Sequence, residues 1–242
     1  MSKLLGLMQA NIERGKGLTV KSQDEETHIY LYDAIGGWWG VEAQEFVKEL
    51  NLANTPKIIL HINCPGGDVF DARAMMTAIK QHKSEITAQI DGLCASAATF
   101  LSTACAKVTM AKGSLYMIHE GWTLVVGNKS ELIKTADLLK KVDDSQVDDF
   151  RSKTGQEVDQ ISTWMREETW FTAEEAKEYG FVDEIIGESE EAGEQASSKW
   201  NLSAYENAPK PKPKKNESLD QQVSARLRRQ REVEALSFAI PS

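Results

Sequence analysis

Three apolar residues in a row, Ile58, Ile59 and Leu60 within KIILHI at 57–62, constrain the fold more than any other stretch. A strand with one wetted face alternates apolar and polar side chains, whereas an unbroken run suits a strand covered on both faces. Such strands belong to parallel sheets, and the flanks carry the helices that a parallel connection needs. Before the run, Val41 to Leu52 places Val41, Phe46, Val47 and Leu50 at helical spacing. After it, VFDARAMMTAIKQ at 69–81 sets Val69, Ala72, Met75, Met76 and Ile79 on one helical face.

The alternation continues in both directions. THIYLYDAI at 27–35 reads as a strand ended by Gly36-Gly37, and ITAQI at 86–90 as another. Residues 91–105, DGLCASAATFLSTAC, read as a glycine turn entering a small-residue helix with Ser96 in its first turn. Short strands are expected at 107–111 and 115–118, a long helix over 130–153 stopped by Gly155, and a further helix over 158–166. Thr172 with Glu175 has the form of a capping box opening a helix that Gly180 stops, and FVDEII at 181–186 closes the series as a strand. The class is α/β with a largely parallel sheet. In such sheets ligands bind beyond the carboxyl ends of the strands, where the glycines after Ile62 and the serine after Ile90 both fall.

Three regions follow from composition. Residues 1–26 are polar and irregular, a flexible arm or leader; 27–187 form the domain. Residues 188–242 form a charged tail. It is acidic and rich in Ser, Ala and Gly to 208, PKPKPKK over 209–215, and then a possible short amphipathic helix around Leu219, Val223 and Leu227. The first two tail segments hold too little apolar surface to order themselves. A net charge of −9 argues against nucleic acid as the main partner. No stretch approaches a membrane span, and the run from Leu4 to Met8 is too short for a secretory signal. Three cysteines without metal spacing suit a reducing cytoplasm. No motif calls for a metal or another cofactor.

A serine hydroxyl becomes a useful nucleophile only when a base takes its proton. Of the four histidines, His28 and His61 lie within expected strands and His82 ends a helix. His119 follows the strand LYMI and precedes a loop, where a general base on an α/β sheet would stand. Gly66-Gly67 can serve as a plain turn, or can bring backbone N–H groups close to a carbonyl oxygen. For the acid that orients the imidazole, Glu167 and Glu168 lie between two helices. Asp143, Asp144, Asp148 and Asp149 look like the solvated face of the long helix, and spacing alone does not choose. Cys64 and Cys94 read as small packing residues near the cleft rather than nucleophiles.

The blocks INCPGGDVFDA, GLCASAATFLSTACAK, LYMIHE and MREETWFTAEEAKEYGFVDEI resemble, in order and spacing, those of the Clp protease proteolytic subunit (ClpP) family, over Tyr30 to Ile186. The resemblance implies a crotonase-like fold, a ring-forming subunit and serine endopeptidase activity. It makes Ser96 the nucleophile, His119 the base, and the backbone N–H groups of Gly67 and Ala97 the oxyanion hole. The position usually held by aspartate falls on Glu168, with Glu167 the alternative. Ala97-Ala98 replaces the usual Met-Gly, Cys64 a serine. The loop GWTLVVGNKSEL departs from the housekeeping subunit where the family's rings meet. GGWWG at 36–40, ETWFTAEEA and the tail look more like the Clp-related head-maturation proteases of tailed phages and prophages. Expected partners are therefore further copies of the chain and polypeptide substrates, capsid and scaffold proteins among them, or an ATP-dependent unfoldase if the role is housekeeping turnover. Two other classes remain: a crotonase-like acyl-CoA hydratase or hydrolase, and an inactive assembly scaffold.

Overall fold

The computed structural model describes residues 17–37, 40–187, 200–203 and 205–209. Eight strands and six helices follow one another along the described chain. They are β1 (Leu18–Gln23), β2 (Glu26–Leu31), α1 (Ala43–Leu52), β3 (Lys57–Cys64), α2 (Val69–Gln81), β4 (Glu85–Ala95) and α3 (Ala98–Ala104). After these come β5 (Lys107–Ala111), β6 (Leu115–Ile118), α4 (Lys129–Thr154), α5 (Val158–Arg166), β7 (Thr169–Thr172), α6 (Ala173–Glu178) and β8 (Glu184–Ile186). One sheet runs β1-β2-β3-β4-β5-β8, with β6 pairing β4 and β7. Every pairing is parallel except β1 with β2 and β6 with β7. The α/β class with a largely parallel sheet is therefore present.

Strand β4 organises the rest. Over Thr87 to Ile90 it pairs with β5, and from Leu93 to Ala95 with β6, so one edge of one strand serves two neighbours. On its other edge β3 follows it through a register irregularity between Ile62 and Cys64, ending with Cys64 opposite Cys94. These pairings overturn the expected glycine turn at 91–95. Asp91 to Ala95 stay extended because main-chain partners are present on both sides, and the helix begins only at Ala98. Ser96 thus sits at a strand-to-helix elbow, not in a helical first turn.

The sheet is covered less evenly than the run KIILHI suggests. Ile58, Leu60 and Ile62 face the main core, together with Ile29, Leu31, Ile86, Ala88 and Ile90. The opposite side is a shallow open depression, lined among others by Lys57, Ile59, Thr87 and Gln89. His61 is buried there by polar and aromatic neighbours rather than a helix. It stacks on Tyr30 with centroids 4.3 Å apart, lies 3.0 Å from His28 and bonds Asp91 at 2.8 Å. Polar residues at alternate positions of β4 (Glu85, Thr87, Gln89, Asp91) explain why that face is wet.

Beneath the helices an aromatic cluster fills the core. Phe150, Phe171 and Tyr116 surround Phe181 with centroids 5.8, 5.2 and 5.1 Å away. Arg73 of α2 lies over the Phe100 ring at 4.5 Å and pairs with Asp149 of α4. Asp149 is therefore not part of a purely solvated face. Neither is Asp143, which accepts the Gly121 N–H at 2.7 Å, whereas Asp144 and Asp148 are exposed as expected.

Two further differences concern the ends. Leu18 to Gln23, expected to be irregular, form an edge strand that bonds to β2 through its backbone and turns at Asp24, whose φ is 51°. Its mostly exposed side chains hide it from a hydrophobicity pattern. Within the tail, expected not to order over 188–215, Trp200 and Tyr205 are buried against Leu93, Ala95 and Met117. The compact unit accordingly extends to Ala208. Residues 1–16, Trp38 and Trp39 of GGWWG, and the amphipathic stretch around Leu219 lie outside the described residues.

Candidate active site

The loop after β3, the elbow after β4 and the residue after β6 meet beyond the carboxyl ends of their strands. At the first, Asp68 caps α2 by accepting the N–H groups of Phe70 and Asp71 at 2.8 and 2.9 Å. This fixes where Pro65-Gly66-Gly67 must pass. Gly66 and Gly67 have φ of 95° and 149°, and neither has room for a side chain. A Cβ on Gly66 would lie 2.6 Å from the Ser96 Cβ, and one on Gly67 would lie 2.0 Å from the Ile35 carbonyl oxygen. Among the described residues neither the Gly67 N–H nor the Ala97 N–H is hydrogen-bonded within the chain.

Ser96 has φ of 56°, a left-handed conformation that costs a non-glycine residue energy. Its N–H bonds the Met117 carbonyl at 2.9 Å, and its own carbonyl accepts from the Thr99 N–H and hydroxyl at 2.9 and 2.6 Å. The elbow turns the side chain toward β6, where the Ser96 hydroxyl lies 2.7 Å from His119 Nε2. An unprotonated imidazole nitrogen at this distance can take the hydroxyl proton. Burial pushes the His119 imidazole down to about 4, against the nearby Glu168 carboxylate and a backbone hydrogen bond at Glu120, which both favour the charged form. At neutral pH the ring is therefore an uncharged base.

Glu168 follows the last turn of α5 with φ of 48°. Its carboxylate acts on His119 through space; its own hydrogen bonds come from elsewhere. Trp170 Nε1 donates to Oε1 at 3.0 Å, the Asn207 N–H to Oε1 at 2.8 Å, and the Glu206 N–H to Oε2 at 2.9 Å. Glu167 instead offers its backbone carbonyl, which accepts the Asn207 side-chain amide at 2.7 Å.

The Clp protease family model matches residues 19–189. The chain belongs to that family. It is 32% identical over 145 residues to the ATP-dependent Clp protease proteolytic subunit 1 of Corynebacterium jeikeium, covering 57% of this chain and 74% of that protein. To the proteolytic subunit 2 of Rhodococcus jostii it is 31% identical over 143 residues, covering 56% and 71%. The subunit of Streptococcus salivarius is 28% identical over 141 residues, covering 57% and 72%. As a member of the Clp protease family the protein is a serine-type peptidase with the fold of that family.

Against this family background the remaining residues fall into place. Ser96, His119, Gly67 and Ala97 border one cleft of about 420 Å³, walled on its other side by apolar residues that include Phe70, Leu138 and Val142. Cys64, Cys94 and Cys105 are buried, and burial pushes the Cys64 and Cys105 thiols up to about 12. They are buried packing groups, and burial disfavours the thiolate of each. Among the described residues no group of three or more His, Cys, Asp or Glu is disposed to hold a metal ion, and no helix is long and apolar enough to cross a membrane.

Tyr205 and Trp170 were not singled out as site residues by the sequence, yet both stand beside His119 or Glu168. The Tyr205 ring meets His119 edge-on at 5.5 Å and Trp170 at 5.7 Å. A signal did exist: Trp200 and Tyr205 are large aromatics in an otherwise small, acidic stretch, and such side chains are seldom left in water without a purpose.

Proposed function

We propose that the protein is a Clp-type serine endopeptidase in which Ser96 is the nucleophile, His119 the general base, Glu168 the acid, and Gly67 with Ala97 the oxyanion hole. The observation that carries this is the 2.7 Å contact between the Ser96 hydroxyl and His119 Nε2, next to two unengaged N–H groups. Ser96 Oγ adds to the carbonyl carbon of a peptide bond while its proton passes to Nε2. The carbonyl oxygen, now negative, receives the Gly67 and Ala97 N–H groups. The C–N bond then breaks, the amine leaves with the proton held on His119, and an acyl-Ser96 ester remains. Water, deprotonated by the same imidazole, releases the acid and restores the hydroxyl. Glu168 favours the imidazolium formed on the way. A carboxylate in reach of an imidazole can do this without receiving the proton.

The apolar wall of the cleft favours an extended polypeptide bearing an apolar side chain. Other exposed apolar residues, Val126, Leu132 and Ile133, lie on the loop before α4 and on its first turns. They support assembly with further copies of the chain into a ring. For the biological role we favour processing of phage or prophage capsid and scaffold proteins, a reading that rests on the ETWFTAEEA block, the Trp-rich 36–40 stretch and the tail. General turnover with an ATP-driven unfoldase is the second reading, favoured by the names of the relatives.

An active-site serine probe separates the protease reading from the others. Labelling of the wild-type protein that disappears in Ser96→Ala is expected, and labelling that persists in that variant would sink the assignment. Cleavage of a capsid–scaffold mixture without ATP supports the processing role. Activity that appears only with an unfoldase and ATP overturns it.

A further inference from the structure

Trp200 and Tyr205 to Asn207 touch several parts of the proposed machinery. Trp200 and Tyr205 pack on Leu93, Ala95 and Met117, the closing residues of β4 and β6 that lead to Ser96 and His119. Trp200 Nε1 donates to Asn63 Oδ1 at 3.0 Å, and the Tyr205 hydroxyl donates to the Pro65 carbonyl at 2.6 Å, the residue before the two glycines. The Ser96 side chain is near enough to bear on that hydroxyl as well. Directly after Tyr205, the consecutive N–H groups of Glu206 and Asn207 donate to one oxygen each of the Glu168 carboxylate.

We propose that this segment is a working part of the active site, in which Tyr205 and the paired N–H groups of Glu206 and Asn207 are positioning residues for His119 and Glu168. The inference rests on the triad read above. Glu168 reaches toward the imidazole without bonding it, so its effect depends on where the carboxylate is held. Three N–H donors hold it, two of them from this segment. An edge-on aromatic limits rotation of the imidazole, and a hydroxyl on the Pro65 carbonyl steadies the peptide that leads to the Gly67 N–H. Tyr205 does not line the cleft, which leaves substrate access untouched. An obstructing tail would stand on the other side of His119. The expected signature is therefore in kcat rather than KM.

The test is steady-state cleavage of a fluorogenic peptide by the full-length protein, with melting temperatures recorded in parallel. Tyr205→Ala should lower kcat by about 10- to 100-fold, the scale of small misplacements at a reacting centre, with KM within about twofold. Tyr205→Phe, which keeps the ring against His119, should recover most of that loss. Asn207→Pro, which deletes one donor to Glu168 together with the side-chain bond to the Glu167 carbonyl, should lower kcat about tenfold with KM again unmoved, and Asn207→Ala, which loses only the latter bond, should stay near wild type. Unchanged kcat in Tyr205→Ala and Asn207→Pro, a loss confined to KM, or a rise in kcat would overturn the inference, the last marking the segment as a restraint. Ser96→Ala is measured alongside. Residual turnover there would mean the triad reading itself fails, whereas abolished turnover in Ser96→Ala, with Tyr205→Ala and Asn207→Pro as active as the wild-type protein, would remove only the role of the segment.

Discussion

Gly66 lies against Ser96 so closely that a methyl group in place of its hydrogen would sit 2.6 Å from the Ser96 Cβ. The same methyl would lie 2.7 Å from the Ala95 carbonyl oxygen and 3.1 Å from the Ala97 nitrogen. Relief requires the loop, the elbow or both to shift, and the Ser96 hydroxyl and the Gly67 N–H shift with them. Gly66→Ala should lower kcat/KM by at least about 10²-fold, as losing one oxyanion donor does in other hydrolases. Activity within a fewfold of wild type would show that this packing is not what fixes the site.

The low proton affinity of His119 sets the acid limb of the rate profile. With the imidazole held down to about 4 by burial, kcat/KM should persist well below the pH at which an ordinary histidine becomes charged. The Glu168 charge opposes that burial, so Glu168→Gln should move the limb to still lower pH while reducing the plateau by about 10²-fold or more. Glu167→Gln should leave both near wild type. An acid limb near 6.5 in the wild-type protein would contradict the enclosure of the ring.

Stability carries the same sign. In the unfolded chain His119 takes up a proton near its ordinary value, whereas the folded chain resists until about 4. Stability is thus complete above about 6.5 and declines as pH falls toward 4, because the unfolded state binds the proton first. Chemical denaturation across that range should show a shallower decline in His119→Gln than in the wild-type protein.

On the open face of the sheet, Asp91 receives hydrogen bonds from Tyr32, His61 and Gln89. Burial alone would raise its carboxyl, and these bonds more than offset that, holding it below the ordinary carboxylate range. Asp91→Ala takes one hydrogen-bond partner from each of Tyr32, His61 and Gln89 and should cost about 1–3 kcal/mol, read from denaturant midpoints. In the core, Phe150→Ala should cost about 3–5 kcal/mol, since Phe150 is closed in by Phe100 and Phe181.

Much of this architecture is legible in the chain because local signals and tertiary demands agree. Thr172 with Glu175 and Gly155 at φ of 70° mark helix ends through chemistry that acts within a few residues. Ser96, His119 and the two glycines stand out through ordered motif blocks. The misses share another cause. Gly92 suggested a turn, but a strand with partners on both edges keeps its direction whatever its residues prefer. Strand β1 is held by its backbone to β2, an attachment that side-chain patterns do not register. Trp200, Tyr205 and Glu206 depend on Leu93, Asn63 and Glu168, more than thirty residues away in sequence, and no window along the chain joins them.

The junction of β4 with β6 bears on how this site tolerates motion and change. Ala95 stands opposite Met117, and the next N–H, that of Ser96, continues the ladder onto the Met117 carbonyl. The hydroxyl and the imidazole are therefore spaced by sheet register, which changes only in whole steps, with every side chain reversing its face at a single step. Loops around the cleft can lengthen, stiffen or exchange residues while that spacing stays the same. Divergence can retune what this protein cuts far more readily than whether it cuts.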